Sequence, residues 1–381
     1  MTDRDLHLGV ALAPAGHHPA AWRLTEDRTR LWNPGTYAAQ AKTAAAARLD
    51  FIAVDDSFAP PSGLVRETQG TLDAVAISAR VAPVAAGIGL LPTVTTTHTE
   101  PFHTSKAIAT LDYVSSGRAG WEAKVSDTAA EADHFGRKAV AEPEELYAEA
   151  EDAVEVVARL WDSWEDDAVI RDLPTGRYID RGRLHYIDFE GPHFSVKGPS
   201  ITPRPPQGQP LVAVRADADA ALGLAARRAD IVRIAPGNPD AAHTRRAAVR
   251  RAVADAGRDP DRVAVLADLV VHLADTDAEA RKGLEGLDRA AGRPWRPNAA
   301  LFAGTPEALA DLIGRWHRDG AADGFTILPA ALPSDLDAFA NRTVPILRES
   351  AGFRREYPGA TLRDTFGLDR PANRYAGTVT R

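Results

Sequence analysis

Residues 211–230 read "LVAVRADADAALGLAARRAD": an apolar run, a short turn, and then leucines and alanines at helical spacing. Strand, turn and amphipathic helix in that order make half of a βαβ unit. The next residues, "DIVRIAP" (230–236), open a second apolar run. With one helix between them, the two strands must lie parallel. The turn itself is unusual. It has no glycine and no serine, and it carries Asp217 and Asp219 at the start of a helix, where backbone N–H groups collect anions.

Working outward, the same unit recurs along the chain. Apolar runs stand at 6–13, 51–56, 84–94, 118–125, 210–216, 230–236, 263–273 and 324–330. Helical patterns fill the intervals at 35–49, 70–81, 101–115, 143–161, 217–229, 240–256, 276–291 and 306–319. Eight continuously apolar strands alternating with helices predict an α/β fold, a (β/α)8 TIM barrel with its helices outside. Between the fourth and fifth strands, 162–209 contains "GPHF" and "GPSITPRPPQGQP" and reads as an insertion of loops and short hairpins packed over the barrel exterior. The expected organisation is one barrel domain over 1–381, with 351–381 as a C-terminal tail. "GRPWRPNAALFAGTP" (292–306) reads as a surface connection or a lid over the mouth.

Bulk composition removes several function classes. The net charge of −8, with no basic block, argues against a nucleic-acid partner. Zero cysteines exclude disulfides, thiolate metal sites and a cysteine nucleophile. The start "MTDRDLHLGVALAPAG" has acids where a signal peptide needs bases, and no apolar run approaches membrane-spanning length. A cytoplasmic protein with no membrane partner is expected. No Ser/His/Asp set, G-x-S-x-G, P-loop or dinucleotide fingerprint occurs. His98 and His103 with Asp55 and Asp56 could mimic a barrel metallohydrolase, but no tight His-x-His pair supports it, so no metal is expected.

Barrel chemistry sits where strands end on the carboxyl side. That rule nominates 13–18, 55–58, 94–99, 124–127, 215–217, 233–238, His272 and Pro329. These rims carry "GHHPAAWR", "LDFIAVDDSF", "THTEPFHTSKAIATLDYVSSGRAGWEAKVS" and, after the long helix, "LWDSWEDDAVIRD", with "REYPGATLRDTFGL" near the end. In collinear order over roughly residues 6–370, they resemble the bacterial-luciferase-like flavin monooxygenases. The resemblance is to the subgroup of nitrilotriacetate, dibenzothiophene-sulfone and long-chain-alkane monooxygenases. It implies a luciferase-like barrel that takes reduced FMN from a separate flavin reductase and uses O₂ to oxygenate a small organic substrate.

By the same resemblance, Asp56 lies beside the flavin ring, and Thr96 or Thr97 supplies a hydroxyl after strand 3. Trp121, Glu122 and Ser126 line the flavin-side strand, and Tyr147 reaches the phosphate from the long helix. His17, His18, Phe58 and His98 shape the substrate cavity; no catalytic side chain is assigned. Three positions depart from the family: Glu122 replaces an asparagine, Pro143 a histidine, and the phosphate turn "AGSS" falls on Arg215, Ala216, Asp217 and Ala218. Asp217 either caps its own helix or opposes a phosphate. Arg215 and Arg233 either grip a displaced phosphate or acidic substrate together, or pair with Asp217, Asp219 or Glu122. Two alternatives follow: a paralogue impaired in flavin binding that serves as a binding or regulatory subunit, or a deazaflavin-dependent oxidoreductase. Fold-level analogy suggests a homodimer or homotetramer.

Overall fold

The computed structural model describes residues 5–25 and 28–376, so the last residues of the expected tail, 377–381, lie outside the described residues. In chain order the elements are β1 (His7–Leu12), α1 (Pro34–Ala46), β2 (Phe51–Val54), α2 (Ala74–Val81), β3 (Gly89–Thr95), α3 (Pro101–Ser115) and β4 (Gly120–Lys124). Then come α4 (Ala129–Phe135), α5 (Pro143–Asp162), β5 (Val169–Asp172), β6 (Arg177–Ile179), β7 (Phe189–Glu190) and β8 (Ser195–Val196). The second half runs β9 (Leu211–Arg215), α6 (Ala221–Arg228), β10 (Ile231–Ile234), α7 (Pro239–Asp255), β11 (Ala264–Leu273) and α8 (Asp277–Ala291). It ends with β12 (Ala300–Gly304), α9 (Pro306–Arg318), β13 (Gly324–Pro329), α10 (Ser334–Ala338), α11 (Val344–Ser350) and α12 (Leu362–Thr365).

Strands β1, β2, β3, β4, β9, β10, β11 and β13 pair in parallel around a closed circle, β13 returning to β1. This is the (β/α)8 barrel, and its strands are the eight apolar runs. The stretch 292–306 differs from the expected loop, because β12 lies within it. The lower part of one β11 edge pairs with β10, and the upper part, Leu269–Leu273, pairs with β12. Strand β11 is long enough to carry both partners, so the mouth gains a short ninth strand. The insertion holds two hairpins, β5–β6 and β7–β8, and packs on α3 and α5. Trp164 Nε1 donates to Ser200 O, the Tyr113 hydroxyl to Arg204 O, and Arg204 pairs with Asp162.

Inward-facing positions alternate along each strand and change character with height. The lower interior is apolar: Phe51, Leu91, Leu211, Ile231 and Leu266, joined from below by Leu362 and Leu368 of the tail. The Phe51 ring packs over β1, and a Cβ on Gly9 would stand 2.3 Å from it, so that neighbour has to be glycine. One step up, the same faces carry Glu122, Arg233 and Asp268, and above them Asp55, Lys124 and Arg215. The tail therefore plugs one end of the barrel and leaves the other as the site.

Candidate active site

Arg233 is the centre of the upper barrel. It is completely buried, yet its guanidinium finds three carboxylates. Nε and Nη2 donate to the two oxygens of Asp268 at 3.0 and 3.1 Å, and Nη1 donates to Glu122 at 2.8 Å and lies 3.4 Å from Asp55. A bidentate fork of this kind fixes the arginine plane. Burial alone would lower its affinity for the proton, but Asp268, Glu122 and Asp55 outweigh that and keep it charged. Arg215 sits above, its Nη2 2.9 Å from Asp268 and its Nη1 3.9 Å from Asp217, with about a third of its side chain (36%) open to solvent.

Burial pushes the Asp55 carboxyl up, but Arg233 and then Arg215 outweigh it and hold it at about 2. The His17 ring closes the same side. Its Nε2 donates to Ala11 O, and burial lowers its pKa against the pull of Asp55. Tyr147 of α5 is half-buried; burial first, then the charges of Asp127 and Asp217, push its hydroxyl pKa up. Ser126 lies at the end of β4 with its backbone N–H donating to Thr97 Oγ1, while its own buried hydroxyl has no partner. Asp55, Glu122, Asp268, Arg215, Arg233, His17, Ser126, Tyr147 and Asp217 thus converge on one mouth.

Several expected site residues lie away from this cluster, Trp121 and Asp56 for reasons of strand facing and the others because their loops bond elsewhere. Trp121 is fully buried in the layer between barrel and helices, on the face opposite Glu122, and does not line the mouth. Asp56 also turns outward. Its carboxylate accepts from Ser57 N and Ala74 N, anchoring the loop to α2, and it borders an outer cavity of about 440 Å³ between α2 and α3. Its neighbour Asp55 holds the inward position. Thr96 donates its hydroxyl to Lys124 O, and Thr97 is occupied by Ser126 N, so both peg β3 to β4. Phe58 and His98 do come together, around Phe135 of α4, with His98 stacked on Phe135 at 4.6 Å on the outer rim. His18 is buried, accepts Ala20 N on Nδ1, donates from Nε2 to Asp288, and meets Trp295 edge-on. It latches the first loop to the 292–299 segment rather than lining a cavity.

The turn after β9 differs from the capping reading of Asp217. Helix α6 begins at Ala221 with Ala220 as an N-cap that has no side-chain bond. Asp217 instead accepts from Ala235 N at 2.6 Å, fastening the turn to the end of β10. Arg245 of α7 reaches back, donating from Nε to Ala216 O, and pairs with Asp219. The two arginines of the mouth are committed to carboxylates, so they do not form a free clamp.

Asp268 and Arg245 went unnoticed in the sequence, whereas Lys124 falls within the nominated rim 124–127. A lone acid in "VAVLADLVVHL" and a lone arginine in "DIVRIAP" each demand a buried partner, and that was the available signal. Among the described residues no cluster of histidines and carboxylates could hold a metal ion, and no helix is long and apolar enough to cross a membrane.

The mouth gathers charged and hydrogen-bonding side chains from several strands. Arg215, partly open to solvent, and the half-buried Tyr147 hydroxyl offer donors on two sides. The acidic turn does not suit a phosphate. A model of the luciferase-like monooxygenase family matches residues 14–323. The N-acetyl-S-(2-succino)cysteine monooxygenase of Bacillus subtilis (strain 168) is 32% identical over 98% of this chain and 99% of the relative. That alignment spans 435 positions against 381 residues here, so the relative carries segments this chain lacks. Nitrilotriacetate monooxygenase component A of Aminobacter aminovorans is also 32% identical, over 98% of this chain and 99% of its own. The structure of an EDTA monooxygenase from Chelativorans sp. BNC1 superposes with a TM-score of 0.87 at 27% identity, covering 96% of this chain and 99% of that one.

Proposed function

The chain belongs to the luciferase-like monooxygenase family, and from that premise we propose that it is a two-component flavin-dependent monooxygenase acting on a small organic molecule at the barrel mouth. On the family pattern, reduced FMN comes from a separate reductase and O₂ is the co-substrate. The observation that supports this reading is the convergence of Arg215, Glu122, Ser126, Tyr147 and His17 at the carboxyl end of the barrel, with an unpartnered buried hydroxyl among them.

The bound flavin supplies the electrons and the oxygen activation. The chain's own residues supply placement. Ser126 Oγ and Arg215 would hold polar edges of the ring, and Tyr147 would reach its side chain. Arg233, neutralised from three sides, cannot move, so it fixes Glu122 and Asp55 in turn. His17 stays uncharged at neutral pH, which leaves it free to donate from Nε2 or to lose that contact to a ligand. The latch of His18 on Asp288 holds the 292–299 segment beside the mouth and helps keep water out. No side chain need act as nucleophile.

The test supplies reduced flavin from a reductase, ¹⁸O₂ and a set of small amines, thioethers and carboxylates, with products read by mass spectrometry. One product heavier by a single ¹⁸O atom is expected. Consumption of all O₂ to hydrogen peroxide at the free-flavin rate, with every compound returned unchanged, would contradict the reading. One observation favours a second reading, a subunit that no longer turns flavin over: the carboxylate of Asp217 in the turn. Absence of any flavin binding, together with co-purification of a related chain, would select it.

A further inference from the structure

Resting on the flavin reading, we propose that this mouth takes flavin without its terminal phosphate: riboflavin, or a flavin ending in a neutral polyol, is preferred over FMN. Four observations meet here. First, the turn Ala216–Ala220 carries two carboxylates. Asp217 is held in place by Ala235 N at 2.6 Å, keeps 41% of its side chain exposed, and lies 3.9 Å from Arg215 of the mouth. Second, the nearest spare cation is consumed by the turn itself, because Arg245 donates to Ala216 O and pairs with Asp219. Third, the arginines above the barrel are already matched. Arg233 is saturated by Asp268, Glu122 and Asp55, and Arg215 is shared between Asp268 and Asp217, while Lys124 donates to Asp56 O.

Fourth, among the described residues the other helix starts that follow barrel strands are capped by their own side chains or flanked by acids, Asn33 capping α1 and Asp335 standing in the first turn of α10. Side chains of Asp73, Thr128, Asn238, Thr276 and Thr305 cap α2, α4, α7, α8 and α9. The uncapped starts of α3 and α5 stand behind Glu100 and Glu142. A phosphate dianion would bring its charge against fixed carboxylates, with both arginines of the mouth already paired to carboxylates. Polyol hydroxyls are the better complement. They donate to carboxylates, and the Tyr147 hydroxyl, acted on by Asp217 and Arg215, stands beside the same turn.

The test titrates the intact protein, without oxygen, with reduced riboflavin and reduced FMN in parallel, read by calorimetry. Riboflavin is expected to bind at least about tenfold more tightly, a margin set by a partly screened charge pair and shrinking as salt rises. The double variant Asp217→Asn, Asp219→Asn keeps an acceptor for Ala235 N and removes both charges. It is expected to raise FMN affinity about tenfold and to weaken riboflavin binding, so that the preference for riboflavin is lost. Asp219→Asn alone, at an exposed position, provides a variant that folds and should move FMN affinity in the same direction. FMN binding as tightly as riboflavin to the unaltered protein, or a double variant with an unchanged ratio, overturns the proposal and spares the flavin reading. Binding of neither flavin overturns both.

Discussion

The lower and upper halves of the barrel interior are built from the same eight strands and solve burial in opposite ways. Below, Phe51, Leu211, Ile231 and Leu266 interlock with Leu362 and Leu368 of the tail. Each side chain there is stabilised by the area it removes from water, and no polar group needs a partner. Above, a guanidinium that is 0% exposed is held by Asp268, Glu122 and Asp55. Desolvating such a set offsets most of its mutual attraction, so apolar residues of similar volume would serve stability as well or better. The difference teaches where the protein's chemistry lies. The floor is made for stability, and the charged tier is retained at a stability cost because it shapes the mouth.

The sharpest way to break that comparison is to remove the central cation. Arg233→Ala leaves Asp268 and Glu122 buried without their partner, and a loss of about 3–5 kcal/mol in urea unfolding is expected, together with loss of flavin binding. Replacing the set together (Arg233→Met, Glu122→Leu, Asp268→Leu) should recover most of the stability and none of the binding. If the triple variant still binds flavin normally, the upper tier is only packing. In the floor, Leu362→Ala should cost about 2–4 kcal/mol and leave flavin affinity unchanged, because the two halves share no polar contact. A shift in affinity there would blur the distinction.

Acid separates the halves more gently. The folded Asp55 carboxyl titrates at about 2, below the ordinary carboxylate range. Its contribution is therefore complete above about pH 4 and is lost as the pH falls toward 2. Asp55→Asn should lower stability at neutral pH and flatten its fall between pH 5 and pH 2, measured by thermal unfolding; an identical acid arm in both proteins would show that Arg233 does not hold this carboxylate. The smallest effect belongs to Ser126→Ala. The Ser126 hydroxyl has no partner in the protein, so stability should move by less than about 0.5 kcal/mol while flavin affinity falls a few-fold.

The architecture was legible because a parallel barrel repeats its signal: each strand is an apolar run, each interval a helical pattern, and Gly-Pro steps mark the insertion. The mouth was legible by position and much less by residue. In "FIAVDD" both faces of the strand are apolar, so nothing in the pattern says whether Asp55 or Asp56 points inward, and a one-residue error reverses the answer. In "GWEAKV" the alternation was visible: Glu122 and Lys124 share one face, which places Trp121 on the other. Resemblance drew attention to Trp121, and facing overruled it. The bond from Ala235 N to Asp217 joins residues from successive βα turns, a contact that neither local propensity nor spacing encodes.

The most direct measurement is an anaerobic calorimetric titration of reduced riboflavin into the unaltered protein and into Arg215→Ala, with unfolding midpoints recorded for both. One saturable site should be seen in the first and at least about tenfold weaker binding in the second, at closely similar stability. Equal binding by the two proteins, or binding that instead disappears when the outer cavity between α2 and α3 is filled by Ala79→Phe, would contradict a flavin site at the barrel mouth.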